Sequence, residues 1–261
     1  MTLTIAIKSA EGIVLASESR ATVDVRRHLF DNAKFGYYDS THKLLPFRSP
    51  NTFAGALAYG VGTVNRRTAY HLLPDFEAQL PPERLSVEAL ANRLSSFLLN
   101  LWPAKRQANL REPDMGFAVA GYNEGEAYGR LYTFLIPSKP TPTEQFSEPE
   151  AVGMIHGGYG RIVDRLLRGY DETLLSVVTG MGPFSEDQRT TLPGLLEDNN
   201  DLIVPFESMP LQACVDFAVF LIRTTIDAQR FSVGLRNCGG PIEVATITRH
   251  MGLQVVQHMP S

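Results

Sequence analysis

Short runs of alternating apolar and polar residues open and close the chain, whereas its middle carries longer stretches with helical spacing. Residues 2–8 and 13–19 alternate like two strands, and the Ser-Ala-Glu-Gly segment between them is typical of a turn, so we predict a hairpin that begins at the second residue. Most chains leave their first residues frayed. A strand at this position is therefore either tied down for stability or needed in place.

Further short strands are predicted in the rest of the chain. We predict strands from HKLLPF and TFAGALAYG, a hairpin from FAVAGYNEGEAYGRLYTFLI, and a closing hairpin from PIEVATITRHMGLQVVQ. The polar stretch that follows the first hairpin, to about residue 41, and the proline-rich stretch 137–150 are both predicted to be loops.

Apolar positions recur at helical spacing in four other stretches. They predict helices between Val64 and Phe76, over 87–102, over 161–169 and over 211–230. Strands, two helices, strands, two or more helices and strands thus follow one another without a repeat or a linker. We predict one α+β domain over residues 1–261, with two antiparallel sheets covered by helices.

Composition and charge narrow the class of protein. The chain has 261 residues, of which 44% are hydrophobic, and this suits a large core. Its net charge of -4 excludes the basic face of a typical nucleic-acid binder. No stretch has the pattern of a signal peptide or a membrane span. Two cysteines fit a reducing compartment, so we expect a cytoplasmic protein without membrane or nucleic-acid partners. The six histidines show no metal-ligand spacing, and we expect neither a metal nor another cofactor.

Thr2 is the first candidate for chemistry. Methionine aminopeptidase removes Met1 when the next residue is small, and the mature chain would then begin with a threonine that carries a free α-amine. Such an amine titrates at about pH 8, so a modest downward shift leaves it neutral at physiological pH. It can then take the hydroxyl proton, which places nucleophile and base in one residue.

Three further candidates lie in the predicted strands. Glu18 ends the second strand of the first hairpin, so its carboxylate comes near the nucleophile. Lys43 lies in an apolar strand, where it needs a partner such as Glu18, and its charge near Thr2 would depress the pKa of the α-amine. Gly55 interrupts a strand, and its N–H is a candidate oxyanion donor. A surface carboxylate, a solvent-facing lysine and a bulge are the respective structural alternatives.

Together these segments resemble the proteasome family of N-terminal-nucleophile hydrolases, which includes proteasome β-subunits, the bacterial protease HslV and the bacterial proteasome-related protein Anbu. The opening TLTIAIKSAEGIVLASESRAT is similar to the family's threonine-start hairpin, HKLLPF to its lysine strand, FAGALAYG to its glycine strand, and CGGPIEVATITR to its closing strand. Several separated motifs that occur in the same order as in the family indicate membership more specifically than any single motif does.

The resemblance implies a role for each matching catalytic residue. Thr2 matches the nucleophile, Glu18 the family's acid, and Lys43 the catalytic lysine. Gly55 matches the glycine of the oxyanion hole. The fold that the resemblance implies is a four-layer α-β-β-α sandwich.

Four more residues match supporting positions of the family, with some departures. Arg20 follows the acid, and Thr22 matches a threonine whose backbone helps to hold the substrate extended. Cys238 stands where the family has a serine before two glycines, and Gly157 or Gly158 stands where it has another serine. The family's second acid has no counterpart at its own position, where Leu235 stands, and Asp227 substitutes for it only if the SVGLRN segment loops out.

The resemblance implies an N-terminal-threonine peptidase or amidohydrolase that acts through an acyl ester on Thr2 without a cofactor. Its substrate would be a peptide or an unfolded protein, and its assembly a homo-oligomeric ring or spiral; whether an ATPase feeds it is left open. A catalytically silent ring or scaffold subunit of the same fold is one alternative, although such subunits carry an N-terminal extension that this sequence lacks. An enzyme that passes the acyl group to an amine instead of water is the other.

Overall fold

The computed structural model describes residues 2–24, 35–102, 114–148, 150–182, 184–200 and 202–257. Met1, whose removal we predict, lies outside the described residues. Internal contacts divide the chain into two units, one formed by Met1–Gly158 with Phe206–Ser261 and the other by Tyr159–Pro205. A single domain over residues 1–261 stays a prediction.

The first sheet has five antiparallel strands and contains the first and the last of the described strands. Its order is β10-β1-β2-β11-β12. These strands are β1 (Leu3–Lys8), β2 (Ile13–Glu18), β10 (Gly153–Gly158), β11 (Ile242–Thr248) and β12 (Gly252–Gln257). The predicted N-terminal and C-terminal hairpins are confirmed. Because β1 has a strand on each side, the beginning of the chain is held within the sheet.

The second sheet is also antiparallel and is formed by consecutive strands. Its order is β5-β6-β7-β8-β9, and a separate ribbon pairs β3 with β4. These strands are β3 (Ala21–Asp24), β4 (Phe35–Tyr38), β5 (Leu44–Pro46), β6 (Ala54–Gly60), β7 (Met115–Gly121), β8 (Arg130–Ile136) and β9 (Lys139–Gln145).

Two predicted loops contain strands instead. The stretch 137–150 was predicted as a loop because of its prolines, and this is wrong for β9. That strand lies at the sheet edge, where a proline without an N–H interrupts no ladder on the outer side. The polar stretch after β2 contributes β3 and β4.

Six helices are described. They are α1 (Ala69–Glu77), α2 (Val87–Leu101), α3 (Arg161–Arg168), α4 (Glu172–Met181), α5 (Glu186–Asn200) and α6 (Leu211–Phe231). Ser86 caps α2 by accepting a hydrogen bond from the Ala89 N–H. The first helix begins later than predicted, because Val64 and Arg67 pair in a turn and Thr68 provides the N-cap.

Apolar side chains fill the space between the two sheets of the first unit. Small and branched residues from both sheets share one cluster, formed by Ala6, Ile13, Leu15, Leu44, Leu57, Ala118, Ala120, Leu131, Ala245 and Ile247 among others. Helix α2 packs on β7, β8 and β9, and α6 packs on β1, β2 and β11. The predicted α+β class with antiparallel sheets is confirmed.

The second unit consists of α3, α4 and α5. Asp171 begins α4, where its carboxylate accepts a hydrogen bond from the Leu174 N–H at 3.0 Å. The same carboxylate pairs with Arg165 at 2.5 Å and with Arg161 at 3.3 Å, which ties α3 to the start of α4. Among the described residues, no helix is both long enough and apolar enough to cross a membrane.

Candidate active site

Glu18 is fully buried at the end of β2 and accepts hydrogen bonds from four separate donors. Its Oε1 accepts from the Leu3 N–H at 3.2 Å and from the Lys43 ammonium. Its Oε2 accepts from the Arg20 N–H at 2.8 Å and from the Gly239 N–H at 2.9 Å. These donors compensate the burial of a charged group. The carboxylate therefore fixes the first residue of β1 against the lysine and the C-terminal segment.

Lys43 lies immediately before β5 and is 5% exposed. Its ammonium donates to Glu18 and, at 2.7 Å, to the Arg20 carbonyl. Burial lowers the pKa of Lys43, and the Glu18 carboxylate opposes this shift. The partner predicted for this buried lysine is thus the observed one.

Thr2 lies at the start of β1 and lines a cavity of about 470 Å³ together with Arg20, Thr22 and Lys43. The Thr2 backbone lies so close to the neighbouring strand β10 that no side chain fits between them. A Cβ added at Gly158, the last residue of β10, would lie 1.7 Å from the Thr2 carbonyl oxygen. Gly158 also has a φ of +88°, which favours glycine. The end of β10 therefore holds the Thr2 backbone closely.

Gly55 does not line this cavity, and the prediction that it is the oxyanion glycine is wrong on position. A Cβ added at Gly55 would meet Leu253 at 2.4 Å and Leu15 at 3.6 Å, so Gly55 belongs to the packing between the sheets. The glycine of the same strand that lines the cavity is Gly60, at the C-terminal end of β6. The sequence signal that could have identified Gly60 is the nearby second glycine in YGVG, because two close glycines at the end of a strand mark a turn.

The hydrogen bonds around β6 indicate where the Gly60 N–H points. The Ala58 N–H donates to the Lys43 carbonyl at 2.9 Å, and the Val61 N–H donates to the Asp114 carbonyl at 3.0 Å on the other side of the strand. Successive N–H groups of a strand alternate between its two sides. The Gly60 N–H therefore lies on the same side as that of Ala58, the side of Lys43.

Arg20 connects the end of β2 to two inserted or distant segments. Its guanidinium forms a bidentate pair with Asp39, with both N–O distances 2.6 Å. It also lies against Gly239, where a Cβ would be 2.3 Å from the guanidinium carbon. The hydrogen bond from Arg20 lowers the pKa of Asp39. Asp39 was missed because it follows a stretch that has no counterpart in the motif.

The other supporting residues lie around this centre. The Thr22 hydroxyl is buried and has no hydrogen-bond partner among the described residues. Cys238 is buried behind Glu18 and Lys43, and burial raises the pKa of its thiol to about 12. Gly157 pairs with Thr4 of β1 and lies against the Tyr59 ring, where a Cβ would be 2.5 Å from the ring carbons.

A pair between an imidazole and a carboxylate at the cavity was not predicted. His42 lines the cavity, and its Nδ1 lies 2.7 Å from Oε1 of Glu243, a buried residue of β11. The imidazole also stacks on Tyr70, with ring centroids 4.7 Å apart and planes at 28°. No sequence signal links residues 42 and 243. In the part of the chain that the structure describes, no three His, Cys, Asp or Glu side chains are grouped as a metal site.

Comparison with known proteins identifies the fold. The chain is similar to a structure titled as the helical assembly of the Anbu complex from Pseudomonas aeruginosa, with a TM-score of 0.58 and 13% identity over 99% of this chain and 86% of that one. It is also similar to Anbu (ancestral beta-subunit) from Yersinia bercovieri, with a TM-score of 0.56 and 13% identity over 98% and 87%. No family model and no curated protein matches the sequence. The resemblance to proteasome-like proteins is confirmed as a likeness of fold.

Proposed function

Because the chain shares the fold of the Anbu structures, we propose that it is an N-terminal-threonine hydrolase that cleaves peptide or amide bonds through an acyl ester on Thr2. One observation carries this proposal. The buried Glu18 carboxylate binds both the Lys43 ammonium and the backbone N–H of Leu3, the residue next to Thr2, at the edge of a cavity that Thr2 and Lys43 line.

The reaction proceeds in two halves. The Thr2 hydroxyl oxygen attacks the carbonyl carbon while the α-amine, freed by removal of Met1, takes the hydroxyl proton. The C–N bond then breaks, and the leaving amine takes that proton from the α-ammonium. Water attacks the ester and gives its proton to the amine, and this proton returns to the Thr2 oxygen as the acid product leaves.

Lys43 and Gly60 support these steps in the proposed mechanism. A lysine ammonium near the α-amine disfavours a second positive charge and so keeps the amine available as a base. The Glu18 carboxylate opposes the lowering of the Lys43 pKa by burial and so favours the charged ammonium. The Gly60 N–H, on the Lys43 side of β6, replaces that of Gly55 as the proposed donor to the oxyanion. Arg20, Thr22, Gly157 and Cys238 stay proposed supporting residues.

The proposal extends to architecture and assembly. We propose that the helices and the two sheets form the four-layer α-β-β-α order, and that the chain assembles with copies of itself as a ring or spiral. The solved structure from Pseudomonas aeruginosa is a helical assembly of the Anbu complex, which supports this extension. The proposed substrates are peptides or unfolded proteins.

The test is the intact mass of the purified protein before and after treatment with a β-lactone probe. The wild-type protein is expected to lack Met1 and to gain one probe at Thr2. Thr2→Ser should retain labelling and Thr2→Ala should lose it, because only the former keeps a hydroxyl. Thr141→Ala, at an exposed position of the edge strand β9, is the matched control and should label fully. Labelling of Thr2→Ala at the wild-type level, or a retained Met1 without labelling, would contradict the proposal.

A further inference from the structure

The ionisable side chains that line the cavity are bases and one phenol, and their acidic partners lie behind them. Arg20, His42 and Lys43 line the cavity with Tyr59, whereas no carboxylate is among the described lining residues. Each base is held by its own acid, namely Asp39, Glu243 and Glu18 respectively. A ligand in the cavity therefore meets the positive end of each pair first, which favours a negatively charged group.

The donors of two of these bases are already engaged. Arg20 uses Nε and one terminal nitrogen on Asp39, and its other terminal nitrogen lies 3.4 Å from the Arg236 carbonyl and 3.5 Å from that of Cys238. The Lys43 ammonium donates to Glu18 and to the Arg20 carbonyl. These two residues therefore supply positive potential more than free hydrogen-bond donors.

His42 is the base that has a nitrogen left for a ligand. Its Nδ1 is engaged by Glu243, and its Nε2 has no partner among the described residues. The side chain is 43% exposed, so it reaches the open part of the cavity. Two contacts fix the plane of the ring, the hydrogen bond to Glu243 on β11 and the stacking on Tyr70 of α1. An imidazole held at one nitrogen by a carboxylate presents the other in a defined direction.

We propose that His42 is a specificity-determining residue that selects substrates with a carboxylate-bearing side chain on the acyl side of the scissile bond. In its imidazolium form, His42 donates its Nδ1–H to Glu243, which positions the ring, and its Nε2–H to the carboxylate of the substrate, and the nearby Arg20 and Lys43 charges add to the attraction. This inference rests on the proposed hydrolase function, since it names the acyl group that the same cavity takes.

The test compares fluorogenic peptides that carry Glu, Gln or Leu at the residue whose carbonyl is attacked. Glu and Gln have the same shape and differ in charge. For the wild-type protein we expect a kcat/KM about tenfold higher for Glu than for Gln, as when a charge-assisted hydrogen bond replaces a neutral one. In His42→Gln, which keeps a donor without a charge, the ratio should fall severalfold towards one, and the remainder is due to Arg20 and Lys43. His250→Gln is the matched control, because His250 is exposed in the turn between β11 and β12.

A structural role for His42 predicts a different result. If the pair with Glu243 only ties the segment before β5 to β11, His42→Gln lowers the rate for all three peptides equally and leaves the Glu/Gln ratio unchanged. That outcome, or a wild-type ratio near one, overturns the proposal. Labelling by a small uncharged β-lactone should stay at the wild-type level in the control His250→Gln.

A binding measurement separates this inference from the proposed reaction. In the Thr2→Ala protein, calorimetry with the same peptides reports recognition without cleavage. A preference for the Glu peptide that falls severalfold in Thr2→Ala with His42→Gln supports the role of His42 even if no peptide is hydrolysed. Equal binding of the Glu and Gln peptides overturns it even if Thr2 is labelled by the lactone.

Discussion

A single buried carboxylate, Glu18, joins four parts of the chain that are far apart in sequence. It accepts hydrogen bonds from Leu3, Arg20, Lys43 and Gly239. Without the Glu18 carboxylate, the buried Lys43 ammonium and three backbone N–H groups lose the acceptor that they share. Loss of one partner from a buried ion pair generally costs more than loss of an exposed pair.

Replacement of Glu18 by alanine is therefore expected to lower the free energy of unfolding by about 3–5 kcal/mol. Urea denaturation measures this loss. Asp75→Ala is the matched control, because Asp75 pairs with Arg67 at the surface, and it should cost about 1 kcal/mol or less. Similar losses for the two variants would contradict the anchoring role of Glu18.

The residues of the site were predictable only where the local pattern places them. Glu18 follows from the hairpin, because β2 returns to the start of β1, and Lys43 follows from its place in an apolar run. The choice between Gly55 and Gly60 depends on how β6 pairs with β5, which alternation alone does not determine. The pair of His42 and Glu243 joins residues 201 positions apart and has no local signal.

At the scale of elements, the close contact between β10 and β1 decides where Thr2 lies. Gly158 has a φ of +88°, and its missing side chain admits the Thr2 carbonyl. Gly125, between β7 and β8, has a similar φ of +79° but open space around it. A comparison of substitutions at the two glycines thus separates the effect of the backbone conformation from the effect of the contact with the Thr2 carbonyl.

Replacement of Gly158 by alanine is expected to displace the start of β1 and to abolish labelling of Thr2 by a β-lactone. Gly125→Ala should retain labelling and lose only about 1–2 kcal/mol of stability, the cost of a left-handed conformation for a residue with a side chain. Intact mass and urea denaturation of both variants provide the measurements. Full labelling of Gly158→Ala would show that the β10 contact does not position Thr2.

Elements with strong local patterns were predicted, and those that depend on their neighbours were not. The two hairpins and the capped helix α2 have regular periodicity and clear ends. By contrast, β9 contains two prolines, which only its edge position in the sheet allows. The start of α1 was misplaced because Val64 fits the helical spacing although it belongs to the preceding turn.

At the scale of the whole molecule, the α+β class was predictable because the order of strand and helix blocks survives errors at single boundaries.

The stability of this fold also reflects groups buried at the site. Burial raises the pKa of the Cys238 thiol to about 12 from an ordinary 9.0. The unfolded chain therefore loses this proton at a lower pH than the folded chain does. The stabilisation from the protonated thiol is full below pH 9 and is lost as the pH rises towards 12.

Replacement of Cys238 by serine should remove this pH dependence, since serine does not titrate in the range. Between pH 9 and pH 12, the free energy of unfolding of the wild-type protein is expected to fall relative to that of Cys238→Ser. Lys43, whose pKa is lowered by burial, has the opposite effect, but both proteins contain it. Urea denaturation at several alkaline pH values provides the measurement, and parallel curves for the two proteins would contradict the expectation.

The position of Gly239 among the donors to Glu18 has a consequence during synthesis of the chain. A ribosome adds Gly239 long after Glu18, 221 residues further along the chain, and β11, which flanks β2, follows it. A growing chain that already exposes Thr2 therefore lacks one donor for its acid and one neighbour for its hairpin. The order of translation thus delays completion of these contacts until Gly239 and β11 have emerged, long after Thr2.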